Sequence, residues 1–199
     1  MSTSTLTMSA LPDLFDVATV AGDDFYEIVD GLRVVVPPRS AYAAKIASRL
    51  TFELILAARA VRAGEVVAEG LFRLPLAQDR TRNRRPDLAF VSFDRWPADK
   101  PQPQTDNAWD VVPDLAIEVI SPTDFCEDVF AKVSEYFRAG VRLVWVLMPV
   151  ERKVFVFDAP DVVRLVTDAD SLDGGAVVPG FLLPLADLLD LPQPAASPE

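Results

Sequence analysis

Apolar residues in this chain recur at every second position in some segments and at every third or fourth in others, a difference that separates strands from helices. Residues 25–36 hold two β-prone runs around Asp30 and Gly31, a pair typical of hairpin turns. After Ser40, a suitable N-cap, apolar residues follow at helical spacing and predict a helix over 41–62. The chain is therefore predicted to open with a β-hairpin and a long helix.

The remaining segments predict mostly strands, with one more long helix. The expected strands cover residues 66–76, 87–92, 115–120, 141–148, 154–157 and 162–166. Residues 121–124 favour the start of a second helix, and a short closing helix is expected near 185–190. This order predicts a single α/β (α+β) domain over 21–190, in which helices flank a mixed central β-sheet. Residues 1–20 and 191–199 are expected to be tails.

Composition narrows the possible chemistry. The chain has 30 acidic and 19 basic residues, a net charge of −11, one cysteine and no histidine. Without histidine, Ser-His-Asp and Cys-His nucleophiles and His-based zinc sites are excluded. Catalysis would rest on carboxylates, lysine, tyrosine, serine or a carboxylate-bound metal. The negative charge disfavours nucleic-acid binding over the whole surface but allows a local basic patch.

No apolar run is long enough to span a membrane and no secretory signal is evident, so a cytoplasmic location is expected.

Two carboxylates stand out in the predicted strands. Glu118 interrupts the apolar run 115–120, where a buried and unpaired carboxylate would cost on the order of several kcal/mol. Asp87 begins the preceding strand. If the two strands pair antiparallel with Asp87 opposite Glu118, their Cβ atoms lie about 5 Å apart on one face. Such carboxylates repel unless a cation lies between them, and oxygen ligands suit Mg²⁺ or Mn²⁺.

Charged residues elsewhere could complete such a site. The second predicted helix carries a polar stripe at four-residue spacing, formed by Asp124, Asp128, Lys132 and Tyr136. Lys132 could orient the nucleophile and offset negative charge in a transition state. Asp114, Asp128 and Tyr136 are possible supporting residues.

A basic run precedes Asp87. It consists of Arg80, Arg82, Arg84 and Arg85. Arg82, Arg84 and Arg85 are possible DNA contacts, because this run could hold a polyanion against the carboxylates despite the acidic whole.

Several motifs occur in a fixed order along the chain. They are Tyr26-Glu27-Ile28-Val29-Asp30-Gly31, Pro86-Asp87-Leu88-Ala89-Phe90-Val91-Ser92, Pro113-Asp114-Leu115-Ala116-Ile117-Glu118-Val119-Ile120-Ser121-Pro122, Asp128-x-x-x-Lys132-x-x-x-Tyr136-x-x-x-Gly140-Val141 and Val144-Trp145-Val146. With them, the chain closely resembles the Uma-type family of restriction-endonuclease-like proteins over roughly residues 20 to 190.

The resemblance implies a fold of the PD-(D/E)xK nuclease superfamily and a magnesium-dependent endonuclease that hydrolyses DNA phosphodiester bonds. It places the metal on Asp87 and Glu118, assigns the catalytic lysine to Lys132, and suggests a homodimer. The sequence departs from the wider pattern at Ile120, where the superfamily has its lysine, and at Ala43, where many relatives carry histidine.

Two other interpretations stay open. The chain could be a catalytically silent module that binds nucleic acid or protein and retains the nuclease fold, as the net charge of −11 and the altered lysine position would allow. It could also be a structural homodimer in which these residues only rigidify the sheet. In both cases Glu118 would be a buried carboxylate paired with Lys132 and have no catalytic role.

Overall fold

The computed structural model describes residues 25–104, 108–121 and 124–190. The predicted tails, and part of the predicted start of the second helix, lie outside the described residues. The strands are β1 (Tyr26–Val29), β2 (Leu32–Val35), β3 (Gly64–Ala68), β4 (Phe72–Arg73), β5 (Asn83–Arg84), β6 (Leu88–Ser92), β7 (Leu115–Val119), β8 (Leu143–Met148), β9 (Lys153–Ala159), β10 (Val162–Thr167), β11 (Ser171–Asp173) and β12 (Leu182–Pro184). The helices are α1 (Ala41–Val61), α2 (Cys126–Ala139) and α3 (Leu185–Leu189). None of the helices in these ranges is long and apolar enough to cross a membrane.

The opening hairpin and first helix form for the local reasons that the sequence indicates. Asp30 and Gly31 both have positive φ, 52° and 77°, as a tight turn between twisted strands requires. The Ser40 hydroxyl accepts a hydrogen bond of 3.2 Å from the Ala43 amide and caps α1. Both predictions are confirmed.

The central sheet has six strands in the order β10-β9-β8-β7-β6-β3. β7 and β8 are parallel, joined by α2 as a crossover, and the other neighbours are antiparallel. A smaller sheet in the order β2-β1-β5-β4 joins the opening hairpin to the segment that precedes β6. The mixed central sheet with flanking helices matches the predicted fold class.

The alternation of β7 divides the core into two layers. Leu115, Ile117 and Val119 contribute to the cluster that contains α1 and α3, whereas Ala116 belongs to the cluster that contains α2. Glu118 alternates with these residues and therefore lies on the α2 side of the sheet. α2 thus covers the face where the sequence predicts the site.

Two details of the predicted elements were wrong. The strand expected over 66–76 is broken after β3, because Glu69 adopts a left-handed backbone with φ of 55°. The apolar stripe expected from Phe125 onward is also displaced. Phe125 occupies the N-cap position of α2 and is 75% exposed, whereas Tyr136 of the polar stripe is fully buried.

Candidate active site

Adjacent strands bring Asp87 and Glu118 together. β6 and β7 pair with Leu88 opposite Ile117, and the same antiparallel register continued by one residue sets Asp87 opposite Glu118. The Val119 amide donates a hydrogen bond of 2.6 Å to Asp87 Oδ2 and fixes that side chain against β7. This is the register on which the proposed pair of carboxylates depends, so that part of the prediction is confirmed.

α2 supplies two further groups to Glu118. The Tyr136 hydroxyl donates a hydrogen bond of 2.6 Å to Glu118 Oε1. Lys132 Nζ lies 3.6 Å from Glu118 Oε2. Lys132 and Tyr136 are one helical turn apart and therefore reach the same carboxylate from the same face of α2. Asp128 lines the cleft beside them.

Glu27 of β1 also belongs to this cluster of side chains, and the sequence indicated only that it lies in the opening hairpin. Its Oε1 lies 3.1 Å from Lys132 Nζ, and its Oε2 lies 2.6 Å from Arg84 Nη1. The Arg85 amide donates a hydrogen bond of 3.0 Å to Oε1. A carboxylate inside an apolar strand was the available signal, the same one that singled out Glu118. Lys132 is therefore held between two buried carboxylates.

Arg39, just before the cap of α1, is a second residue that the sequence did not indicate. Its Nη2 lies 2.6 Å from Asp87 Oδ1 and also forms an ion pair with Glu69. Glu69 lies opposite Asp87 when the register between β3 and β6 is continued by one residue. Three carboxylates therefore lie side by side across β3, β6 and β7, and Arg39 bridges two of them.

The electrostatics of the site favour added positive charge. Burial, and next the charge of Glu118, raise the pKa of Asp87 to about 8 despite its ion pair with Arg39. Burial also raises the pKa of Glu118 more strongly than Lys132 and the Tyr136 hydroxyl lower it. Both carboxyl groups therefore have a heightened affinity for a proton or a cation.

Lys132 and Glu27 shift the opposite way. Burial lowers the pKa of Lys132, but Glu118 and Glu27 outweigh it and the net shift is upward. Burial raises the pKa of Glu27, but Lys132 and Arg84 outweigh it and the net shift is downward. Lys132 is thus an ammonium group throughout the physiological pH range.

These groups line a cleft of about 480 Å³. It lies between the opening hairpin, the start of α2, the start of β6 and the end of β7. Its polar wall holds Asp87, Glu118, Lys132, Arg39 and Glu27. Valines of β1 and β2 and Phe125 form much of the apolar wall.

The donor set fits a divalent cation in part. Asp87 and Glu118 offer oxygen ligands from adjacent strands, and a cation would relieve the repulsion that helps to raise the pKa of Asp87. Within the described ranges, no group of three or more His, Cys, Asp or Glu side chains is arranged to hold a metal ion. A cation here would take its remaining ligands from water or from a substrate.

The other predicted residues lie away from these carboxylates or are already paired. Asp114, at the far end of β7, binds Arg95, Arg142 and the Ser92 amide. Arg82 and Arg84 are 8% exposed, and Glu135 binds both guanidinium groups.

Arg85 lies at the hairpin. Its guanidinium group lies 4.8 Å from the centre of the Phe25 ring. DNA contact by Arg82, Arg84 and Arg85 stays a prediction, and the first two would have to leave carboxylate partners to make it.

Comparison with protein-family models gives a match over residues 11–186 to Uma2, described as "Putative restriction endonuclease". The chain belongs to the Uma2 family. A solved structure from Anabaena variabilis ATCC 29413, titled as a "putative nuclease belonging to DUF820", has a TM-score of 0.70 and 18% sequence identity. That match covers 82% of this chain and 89% of the other. Among curated proteins, none matches. The comparisons support a nuclease-like protein with a nuclease fold.

Ile120 and Ala43 are the two positions of this Uma2-family chain at which the resemblance implied a different residue. Ile120 follows β7, and its amide donates a hydrogen bond of 2.8 Å to the Leu147 carbonyl. Lys132 reaches Glu118 from α2, so an ammonium group contacts the acidic residue without a lysine on the strand. Ala43 lies in the first turn of α1, and its side chain is buried in the core.

Proposed function

We propose that this protein is a metal-dependent endonuclease that hydrolyses DNA phosphodiester bonds. The observation that carries the proposal is the meeting of Asp87, Glu118 and Lys132, from two strands and a helix, in one cleft. The Uma2 match supports the reaction class and DNA as the substrate. A homodimer and a cytoplasmic location stay predictions from the resemblance and from composition.

Asp87 and Glu118 would hold Mg²⁺ or Mn²⁺. When bound, such an ion supplies Lewis-acid stabilisation of phosphoryl oxygens and activation of water for in-line attack. The protein holds Asp87 in place through the Val119 amide and Glu118 through the Tyr136 hydroxyl. Both carboxylates are therefore already oriented before substrate arrives, which avoids reorganisation during the reaction.

Lys132 contributes a fixed positive charge. Its raised pKa keeps the ammonium group protonated, which excludes it as a general base at neutral pH and suits it to stabilising a phosphoryl group that gains negative charge. Glu27 and Glu118 both contact Nζ and so limit where the ammonium group can move.

The proposal is tested by plasmid nicking with Mg²⁺ or Mn²⁺, comparing wild type with Glu118→Ala and Lys132→Ala purified identically. Lys153→Ala is the matched control, because Lys153 is an exposed lysine on β9 outside the cleft. We expect metal-dependent nicking by wild type and control that is lost in both cleft variants. Nicking that persists in the cleft variants would identify a contaminant and contradict the proposal.

A second candidate is a catalytically silent module that binds nucleic acid or protein. The ion pair between Arg39 and Asp87 favours it, because a guanidinium group already contacts one proposed metal ligand. This candidate predicts polyanion binding without turnover, and binding that Glu118→Ala leaves intact. Stabilisation of the fold by Mn²⁺ would count against it.

A further inference from the structure

Arg39 lies where a cation on Asp87 would have to bind. Asp87 Oδ2 accepts the Val119 amide at 2.6 Å, whereas Oδ1 lies 2.6 Å from Arg39 Nη2. The Arg39 side chain is 16% exposed and lines the same cleft as Asp87 and Glu118. The oxygen of Asp87 that is not held by the backbone of β7 is thus held by a guanidinium group.

A guanidinium group and a divalent cation cannot share this oxygen at low cost. A metal ion held by Oδ1 would lie close to the positive charge of Arg39, and the two cations would repel each other. The ion pair also neutralises part of the negative charge that would attract the metal. Cation binding at Asp87 therefore requires Arg39 to move away.

Glu69 provides a second partner for Arg39. It forms an ion pair with the same Nη2, and its backbone is fixed beside Asp87 by the bond from the Glu69 amide to the Asp87 carbonyl, 3.1 Å long. Arg85 donates a further hydrogen bond to the Glu69 carbonyl. The guanidinium group can leave Asp87 without losing all carboxylate contact.

We propose that Arg39 is a resident counterion of the site, which competes with a divalent cation for Asp87 and moves toward Glu69 when the cation binds. The proposal rests on the proposed function, in which Asp87 is a metal ligand. It assigns Arg39 a role in setting metal affinity: without a metal, Arg39 offsets part of the negative charge of Asp87, and the metal must displace it.

The test is calorimetric titration of wild type and variants with Mn²⁺ alone. Because an opposite charge this close changes the cation affinity of a carboxylate by about tenfold or more, Arg39→Gln should bind Mn²⁺ at least about tenfold more tightly than wild type. Arg138→Gln removes the same charge from a part of α2 outside the cleft, where Arg138 contacts Gln78, and its affinity should stay within about twofold of wild type. Asp87→Asn should abolish the binding.

Glu69→Gln gives a second, opposite reading. Without its alternative carboxylate, Arg39 should stay on Asp87 and Mn²⁺ should bind more weakly than to wild type. Equal or weaker binding by a folded Arg39→Gln, or an equal gain in Arg138→Gln, would overturn the competition while leaving the proposed function standing. If neither wild type nor Arg39→Gln bound Mn²⁺, both this inference and the proposed metal site would fail.

Discussion

The two ends of β7 each bury a carboxylate, and they treat it in opposite ways. At the start of the strand, Asp114 accepts the Ser92 amide and forms ion pairs with Arg95 and Arg142, at 2.9 and 3.3 Å. At the end, Glu118 lies opposite a second buried carboxylate, Asp87, and burial and repulsion raise the pKa of Asp87 to about 8.

Burial of a carboxylate is therefore not enough to mark a functional site. Asp114 has an excess of positive partners and connects β6, β7 and the segment before β8. Asp87 and Glu118 are held close together although they repel, and that arrangement has an energetic cost that a bound cation would relieve. We therefore expect the same isosteric substitution to have opposite consequences at the two ends.

The largest expected effect is on activity at the Asp87 end. Asp87→Asn should lower metal-dependent nicking on the order of 100-fold or more, because it removes a proposed metal ligand. The same change should raise the thermal midpoint at pH 8, since it removes a carboxylate that burial disfavours. Nicking assays and thermal melts check this pair of results, and a loss of stability together with unchanged nicking would contradict it.

The next effect is on stability at the Asp114 end. Asp114→Asn should lower the free energy of unfolding by about 2 to 3 kcal/mol, less than for a fully buried pair because Arg142 is half exposed. Mn²⁺ affinity should not change, because Asp114 lies at the far end of β7 from Glu118. Chemical denaturation measures the stability and Mn²⁺ titration measures the affinity. Weaker metal binding by Asp114→Asn would contradict the expected difference between the two ends of β7.

The thermal midpoints of wild type and Asp87→Asn should also depend differently on pH. Because the pKa of Asp87 is about 8 in the fold against an ordinary value of 3.8, the native state binds more protons than the unfolded state between these values. This group's contribution to stability is therefore present at low pH and lost as pH rises from about 4 to 8. The difference in thermal midpoint between Asp87→Asn and wild type should grow across that window and level off above it. A difference independent of pH would exclude the raised pKa.

The smallest expected effect concerns the hydroxyl that orients Glu118. Tyr136→Phe removes one buried hydrogen bond, of 2.6 Å, and should cost about 1 kcal/mol of stability. Nicking should fall by about tenfold, less than for Asp87→Asn, because the carboxylate remains but is less well oriented. An unchanged rate would show that Tyr136 has a structural role only.

Much of this architecture follows from local patterns. The turn at Asp30 and Gly31, the cap at Ser40 and the alternation of β7 all depend on neighbouring residues, so the sequence alone predicted them. The pair of Asp87 and Glu118 was predicted only on condition of an assumed antiparallel register, and the pairing of β6 with β7 agrees with that register.

The rest of the site could not be read from the sequence, because it depends on contacts between distant segments. Arg39 contacts Asp87 although α1 and three strands lie between them in the sequence, and Glu27 contacts Lys132 only when the hairpin packs against α2. The sequence indicated Arg82 and Arg84 as possible DNA contacts, but they are buried against Glu135. β5, β11 and β12 have two or three residues each, too few for a periodic pattern.

The most direct test of metal-dependent cleavage at Asp87 and Glu118 is the initial rate of plasmid nicking as a function of Mg²⁺ concentration, for wild type, Asp87→Asn and Asp114→Asn at a temperature where all three are folded. We expect a rate that rises and saturates with Mg²⁺ in wild type and in Asp114→Asn, and a rate near background at all concentrations in Asp87→Asn. Equal rates in wild type and Asp87→Asn, or a rate independent of Mg²⁺, would contradict it.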